Sequence, residues 1–386
     1  MEPIALNGDM AIAHAWRQID PDVVASYPIT PQTIIVENYA EFVANGEVET
    51  EYVCAESEHS AMSLCIGASA AGGRVATATA SAGLAFMWEV LWIASAMRLP
   101  ICMSVANRAL SGPINIQCDH SDAMGARDTG WIQLFGENVQ EAYDNTVMSF
   151  KIAEHSGVRL PIMTCIDGFI VTHALERLET LETQVVKDFV GPYQAVRPLL
   201  DLKNPTTYGP FSQTDYYFEH KYQIMEAMKR AKPVVKQVQK DYAKISGREH
   251  SIIEGYKTED ADYVIMAMGS TAGTLRHVVD ELRHEGKKVG SVKLRLFRPF
   301  PFDEVKEMLE GKKGVAVMDR AISTGSSGPM FPEVRTALYD AVDRPDIANY
   351  VYGLGGRDVK IDELKGVYKQ LMTKDHDMVN YLGVRP

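Results

Sequence analysis

Four short stretches of the chain combine residue types able to bind or activate a small polar molecule. In Tyr27-Pro28-Ile29-Thr30-Pro31 a threonine stands between two prolines. Proline locks its own φ and pushes the residue ahead of it away from helical backbone. Thr30 is therefore expected to be rigid and extended at the carboxyl end of a strand, the end at which open α/β sheets bind ligands. A hydroxyl held there can orient a polar substrate, although the same residues also suit an ordinary strand-to-helix turn with Thr30 near an N-cap. Glu56-Ser57-Glu58-His59 falls where a strand meets a helix of small residues. Glu58 at the start of that helix is favoured by the macrodipole, and Ala61, Ser63, Gly67 and Ala68 behind it leave room for a flat ligand or another backbone. A capping box with solvated acids is the competing reading, and His59 suits a surface or interface. Arg108 follows another strand, so it too projects from a carboxyl end, where a guanidinium can hold a carboxylate through paired bonds. Its alternative is an ion pair with Asp119 or Asp122 in the next loop.

The fourth stretch, Asp119-His120-Ser121-Asp122, has metal-ligand residue types, but its spacing matches neither H-E-x-x-H nor a calcium loop. A metal is not expected there, and Arg127-Asp128-Thr129-Gly130 reads as an ion pair and turn. Gly269-Ser270-Thr271 and Gly325-Ser326-Ser327-Gly328 each follow a strand and resemble phosphate-binding turns, without a G-x-G-x-x-G or Walker pattern. Of the five cysteines, Cys54, Cys65, Cys102, Cys118 and Cys165, no two are spaced C-x-x-C. That argues against a disulfide framework, a zinc site and an iron–sulfur run on this chain. Cys118, in a loop, is the one candidate for reactivity, though a passive thiol is the expectation.

These residues need a scaffold that brings strand ends together. Helices are expected over 7–19, 32–45, 58–71, 83–98 and 140–156, alternating with strands over 22–26, 49–54, 75–80, 100–106, 131–135 and 161–166. Strands separated by helices of this length indicate a parallel sheet covered on both faces. Residues 190–215 are rich in Pro, Gly and Tyr and read as an irregular crossing segment. The Lys-rich stretch 216–245 reads as a weakly amphipathic interdomain helix. A second α/β unit begins near Ser251, with strands at 263–268, 288–294, 314–318 and from 349, and helices at 272–285, 302–309, 332–342 and 361–372.

With 386 residues, 46% apolar and 23% charged, the chain suits two or three domains with a sizeable core. A net charge of −12 disfavours nucleic acid or an anionic membrane as the main partner. The first nine residues lack the basic start and apolar core of a signal peptide, and the most apolar stretch, 80–106, is interrupted by charge and proline. Free thiols suit a reducing compartment, so a cytoplasmic location is expected.

Tyr27-Pro28-Ile29-Thr30-Pro31-Gln32-Thr33, Glu56-Ser57-Glu58-His59-Ser60-Ala61, Ala106-Asn107-Arg108-Ala109-Leu110, and Asp119-His120-Ser121-Asp122 through Arg127-Asp128-Thr129-Gly130-Trp131 stand in a characteristic order and spacing. In this the chain resembles the α subunit of 2-oxoacid:ferredoxin oxidoreductases, most closely the pyruvate type with separate subunits. The resemblance continues through Cys165-Ile166-Asp167-Gly168-Phe169 and the second unit, and so covers nearly the whole chain. It implies a pyrimidine-type, three-layer thiamine-diphosphate-binding α/β domain over 1–190, an irregular connector and helix over 191–250, and a transketolase C-terminal-like α/β domain over 251–386. It implies thiamine-dependent cleavage of a 2-oxoacid, acyl transfer to coenzyme A, release of CO2 and delivery of electrons to ferredoxin, or the reverse. Glu58 matches the glutamate that bonds N1′ of the aminopyrimidine, Arg108 the arginine that binds the substrate carboxylate, and Thr30 the threonine that orients the keto group. Tyr27, Pro28 and Ile29 would border the cofactor. The chain has no G-D-G with paired asparagines, the usual holder of Mg2+ and the diphosphate. The resemblance accordingly implies that Mg2+ and 4Fe–4S clusters lie on β, γ and δ type partners. Pyruvate is the implied substrate. The alternatives are 2-oxoisovalerate, 2-oxoglutarate, oxalate or an aryl pyruvate, or an assembly subunit without catalytic residues.

Overall fold

The computed structural model describes residues 2–385. Its larger sheet has seven strands in the order Leu296–Arg298, Ile132–Phe135, Ile162–Asp167, Cys102–Asn107, Val75–Thr79, Val23–Ser26, Glu51–Cys54. All neighbours run parallel except Leu296–Arg298, which pairs antiparallel with Ile132–Phe135. The central strands Val75–Thr79, Cys102–Asn107 and Ile162–Asp167 are buried along their whole length, as expected for a parallel sheet covered on both faces. From Val23–Ser26 the chain moves outward to Glu51–Cys54, whereas from Val75–Thr79 it moves the other way to Cys102–Asn107. The strand order therefore reverses between Val23–Ser26 and Val75–Thr79, the kind of switch point at whose carboxyl ends open α/β sheets bind ligands.

The second sheet has six strands, ordered Val379–Tyr381, Asp346–Val351, Gly314–Asp319, Tyr263–Ala267, Val289–Leu294, Ile253–Tyr256, with only the last antiparallel. A two-stranded ribbon pairs Glu2–Leu6 with Glu176–Thr180. No helix among the described residues is long and apolar enough to cross a membrane.

Helix Glu58–Ala71 starts where its sequence says it should, because Ser57 is extended and its hydroxyl accepts the Ser60 amide at 3.1 Å. Gly72 ends it at φ +113°. Other expectations needed correction. The helix read as 83–98 is two helices, Ser81–Phe86 and Trp88–Ala96, and the Met87 amide between them is shared by the Gly83 and Leu84 carbonyls. The helix read from Pro332 begins at Met330 and ends at Ala337, because the Asp319 carboxylate accepts the Met330 and Phe331 amides. Pro332 then sits in the first turn, where no N–H is needed. Tyr217–Ser246 is more than a weakly amphipathic connector. Ile224, Ala227, Ala231, Val235, Val238 and Tyr242 recur at helical spacing and are buried against the first unit. Strand Leu296–Arg298, unforeseen from the sequence, leaves the second unit to extend the first sheet.

Candidate active site

Four adjacent strands of the larger sheet deliver residues to one edge. Val23–Ser26 leads to Thr30, Glu51–Cys54 to Glu58, Val75–Thr79 to Ser81 and Gly83, and Cys102–Asn107 to Arg108. The Tyr27–Gln32 turn is held by Gln32, whose Nε2 donates to the Tyr27 carbonyl at 2.9 Å and to the Ala78 carbonyl at 3.1 Å. Pro31 is buried, following a cis peptide, and Gly168 packs so closely that a Cβ there would lie 2.9 Å from Pro31 Cγ. Thr30 lies in the turn four residues past the end of strand Val23–Ser26, and it is exposed. Tyr27 and Pro28 are exposed and Ile29 half-buried.

Arg108 is 7% exposed. Its Nη1 donates to the Thr30 carbonyl at 2.8 Å and its Nε to the Asn115 carbonyl at 3.1 Å. The structure thus brings Arg108 and Thr30 together. The ion pair with Asp119 or Asp122 does not form; Asp122 instead accepts the Arg108 backbone amide at 2.9 Å. The same carboxylate accepts the Ser81 amide at 2.9 Å, the Asn107 Nδ2 at 2.8 Å and the Ala123 amide at 2.7 Å. Burial raises the Asp122 carboxyl to about 6 against these donors. Asp122 therefore fixes two walls of the site at once, the Ser81 turn and the Arg108 backbone. Arg108 still has its Nη2 free of any hydrogen bond to described residues.

Glu58 opens its helix and is 8% exposed, unlike Glu56 and His59 beside it. Its carboxylate accepts no hydrogen bond from any described residue. It packs over Gly83, where an added Cβ would lie 2.8 Å from Glu58 Oε1 and 2.6 Å from Thr79 Oγ1. Thr79 Oγ1 is itself buried without a hydrogen-bond partner among the described residues. A carboxylate with unused acceptor capacity at a helix start, an unpaired hydroxyl beside it and a glycine on which both pack form a donor and acceptor set suited to a flat nitrogen heterocycle such as an aminopyrimidine. Gly83 was not singled out from the sequence; its signal was a small residue shortly after the end of a strand.

The remaining candidates serve as internal fastenings. Asp119 accepts the Ser121 amide at 2.9 Å and hydroxyl at 2.5 Å, and the Gly355 amide at 3.1 Å. His120 Nε2 lies 2.7 Å from Asp167 Oδ1. Cys118, His120 and Asp167 could geometrically gather a metal, but Arg320 Nη1 reaches Asp167 at 2.9 Å and brings the positive charge there already. Burial pushes the Cys118 thiol well up, which agrees with a passive role. The Gly269-Ser270-Thr271 turn holds a carboxylate of this chain: the Ser270 amide and hydroxyl bond Asp167 Oδ2 at 3.0 and 2.5 Å. The turn at Gly325 likewise packs Gly328 onto Asp319.

Residues 14–240 match the model for pyruvate flavodoxin/ferredoxin oxidoreductase, thiamine diphosphate-binding, and residues 261–364 that for pyruvate:ferredoxin oxidoreductase core domain II. The pyruvate synthase subunit PorA of Thermotoga maritima is 52% identical, covering 100% of this chain and 99% of that protein. The ketoisovalerate oxidoreductase subunit VorA of Pyrococcus horikoshii is 44% identical over 95% of this chain and 93% of that protein. Among solved structures, a 2-oxoglutarate:ferredoxin oxidoreductase from Magnetococcus marinus, with 2-oxoglutarate, coenzyme A and succinyl-CoA bound, superposes with TM-score 0.73 at 19% identity. It covers 96% of this chain, and this chain spans 65% of that one. A split-gene transketolase, an inactive β4 tetramer, shares the fold at TM-score 0.54 and 10% identity, with 95% of this chain and 96% of that one covered. The parallel sheet that gathers Thr30, Glu58 and Arg108 at its strand ends and the matches that run the length of the chain lead to the same place: the chain belongs to the pyruvate flavodoxin/ferredoxin oxidoreductase family.

Proposed function

We propose that this chain is the α-type subunit of a pyruvate:ferredoxin oxidoreductase, in which Glu58 binds the aminopyrimidine of thiamine diphosphate and Arg108 and Thr30 grip the 2-oxoacid. The observation that carries the reading is Glu58, only 8% exposed as a residue, whose carboxylate packs on Gly83 and accepts no hydrogen bond from the described residues. A carboxylate at a helix start whose acceptor capacity the fold leaves unused is free to accept from a ligand that donates to it. Bound thiamine diphosphate supplies the carbanion chemistry that breaks the bond between the carboxylate and keto carbons of the substrate. Glu58 holds a hydrogen bond to a ring nitrogen and thereby fixes the ring's protonation state. Arg108 presents its free Nη2 to the substrate carboxylate, while the Thr30 hydroxyl, carried on the turn that Arg108 fastens, orients the keto oxygen. Tyr27, Pro28 and Ile29 line the cofactor side.

In this reading residues 1–190 form the cofactor domain, 191–250 the connector and helix, and 251–386 the transketolase C-terminal-like domain. Mg2+, the diphosphate site and the 4Fe–4S clusters belong to β, γ and δ type subunits, with coenzyme A as acyl acceptor and ferredoxin as electron carrier, in the cytoplasm. The similarity to a ketoisovalerate oxidoreductase subunit supports a second reading, the same chemistry on a branched 2-oxoacid.

The test uses the assembled complex with coenzyme A, a viologen acceptor and a panel of 2-oxoacids. Glu58→Ala is expected to abolish thiamine-dependent turnover while the complex still assembles. Near-wild-type turnover would remove Glu58 from the chemistry and leave this chain an assembly subunit. Preference for 2-oxoisovalerate over pyruvate would favour the second reading.

A further inference from the structure

We propose that the second α/β unit sets the position of Arg108 through Asn115, making Asn115 a positioning residue for 2-oxoacid binding. The inference rests on Arg108 as the carboxylate-binding group and names what holds it in place.

The loop after Arg108 is exposed from Ser111 to Gln117 except at Asn115, which is half-buried. Ile114 and Ile116 on either side are 78% and 45% exposed, so packing does not anchor the loop. Among the described residues, Asn115 makes every hydrogen bond of the 111–116 stretch. Its carbonyl accepts Arg108 Nε at 3.1 Å, its Oδ1 accepts the Gln117 amide at 2.6 Å, and its Nδ2 donates to the Gly355 carbonyl at 3.1 Å. The first two bonds are local. The third crosses 240 residues of sequence to the second unit.

The receiving turn is shaped for this contact. Gly353, Gly355 and Gly356 have φ of +65°, +59° and +76°, a region that side chains rarely adopt. A Cβ on Gly355 would lie 2.5 Å from Asn115 Nδ2, and one on Gly356 would lie 2.3 Å from Gln117 Cβ. The Gly356 amide donates to the Cys118 carbonyl at 2.6 Å, and the Gly355 amide to Asp119 at 3.1 Å. A Cβ on Gly353 would lie 2.9 Å from Arg320 Nε, and Arg320 is the residue whose carbonyl accepts the His120 amide at 2.8 Å. The glycine turn and Arg320 thus grip the loop at 115 and at 117–120. From Gly355 through Asn115 and Arg108 to the Thr30 carbonyl, each step is one hydrogen bond.

Asn115→Asp separates the crossing bond from the local turn. The carboxylate keeps an acceptor for the Gln117 amide but cannot donate to the Gly355 carbonyl. In the assembled complex, Asn115→Asp is expected to raise KM for the 2-oxoacid about 5- to 10-fold, the worth of one hydrogen bond, with kcat and KM for coenzyme A within about twofold of wild type. Gly355→Ala, which attacks the same bond from the other side, is expected to shift the same KM in the same direction. Arg108→Ala is the companion measurement. If Arg108→Ala raises KM for the 2-oxoacid and both latch variants leave it unchanged at unaltered melting temperature, the proposed role of Asn115 is wrong. If Arg108→Ala itself leaves KM unchanged, the reading of Arg108 fails and this inference falls with it.

Discussion

Replacing Asp167 with asparagine should loosen the contact between the two α/β units more than any change of comparable size. The Asp167 carboxylate accepts from His120 Nε2 at 2.7 Å, Arg320 Nη1 at 2.9 Å, the Ser270 amide at 3.0 Å and the Ser270 hydroxyl at 2.5 Å. Ser270 and Arg320 belong to the second unit, His120 and Asp167 to the first. Burial alone would raise this carboxyl, but His120, Arg320 and the Ser270 hydroxyl outweigh it and hold it well below the usual carboxylate range. An asparagine side chain is isosteric with aspartate but neutral. Placed there, it leaves Arg320, only 4% exposed, without its counter-charge, and turns an N–H toward groups that are themselves donors. Breaking a buried pair from one side costs about 3–5 kcal/mol, or roughly 100-fold to several-thousand-fold in a local opening equilibrium. Amide hydrogen exchange reads that opening directly. The amides of His120, bonded to the Arg320 carbonyl, and of Ser270, bonded to Asp167, should both exchange faster by that factor. In an Arg320→Met background the same substitution should cost at least about 2 kcal/mol less, because no buried cation is stranded. The pH dependence has a definite sign. Because the folded carboxyl is held low, its contribution is complete above the unfolded value of about 4 and is lost as pH falls below it. Exchange at Ser270 that rises less than about fivefold in Asp167→Asn, or costs that add in the double variant, would refute the reasoning.

Gly83→Ala should cost activity far more than stability. The roughly 1 kcal/mol that helix propensity gives alanine is offset by a Cβ 2.6 Å from the buried Thr79 Oγ1, an overpacking of about 1–3 kcal/mol, so the melting temperature should fall by only a few degrees, while the displaced Glu58 carboxylate drops turnover by more than about tenfold; wild-type turnover would count against Glu58. Where the first unit meets Lys293 and Arg295 of the second, Glu141 is buried, which raises its carboxyl, but Arg295 and Lys293 outweigh this and lower it to about 2. The stability this provides is complete above about pH 4.5 and is lost between there and about pH 2. It amounts to about 3 kcal/mol, so Glu141→Gln should flatten the acid limb of a stability–pH profile.

What the sequence made legible was local. A serine before Glu58 and small residues after it marked the start of that helix, and the structure begins it at the same residue. The ends of Val23–Ser26 and Cys102–Asn107 followed from β-branched and apolar runs bounded by proline and polar residues, and with them the placement of Thr30 and Arg108 at one edge of the sheet. Partners distant in sequence were not legible. Whether Arg108 would pair with Asp119, Asp122 or a backbone carbonyl depends on the path of the Thr30 turn, which is 78 residues away. Gly269-Ser270-Thr271 has the local geometry of an anion-binding turn, and it does bind an anion, but that anion is Asp167, which lies 103 residues before Ser270.

The same ambiguity recurs at three buried aspartates, and it has one physical cause. Asp122 takes the amides of Ser81, Arg108 and Ala123, Asp167 that of Ser270, and Asp319 those of Met330 and Phe331. A carboxylate that collects backbone donors is chemically the same group as one that awaits a substrate, and both are recruited to loop and helix starts where unpaired amides point outward. The count of donors already supplied by the fold helps to tell them apart, but only together with position at the strand ends, since Asp9 in the first turn of helix Gly8–Ile19 is buried with both carboxylate oxygens unpaired among the described residues. By that count Asp122, Asp167 and Asp319 are filled from within, whereas Glu58, also buried and also at a favourable helix start, accepts nothing from the described residues. Of these four acids, only Glu58 leaves its acceptor capacity unused by the described residues at the strand ends, as the proposed role requires.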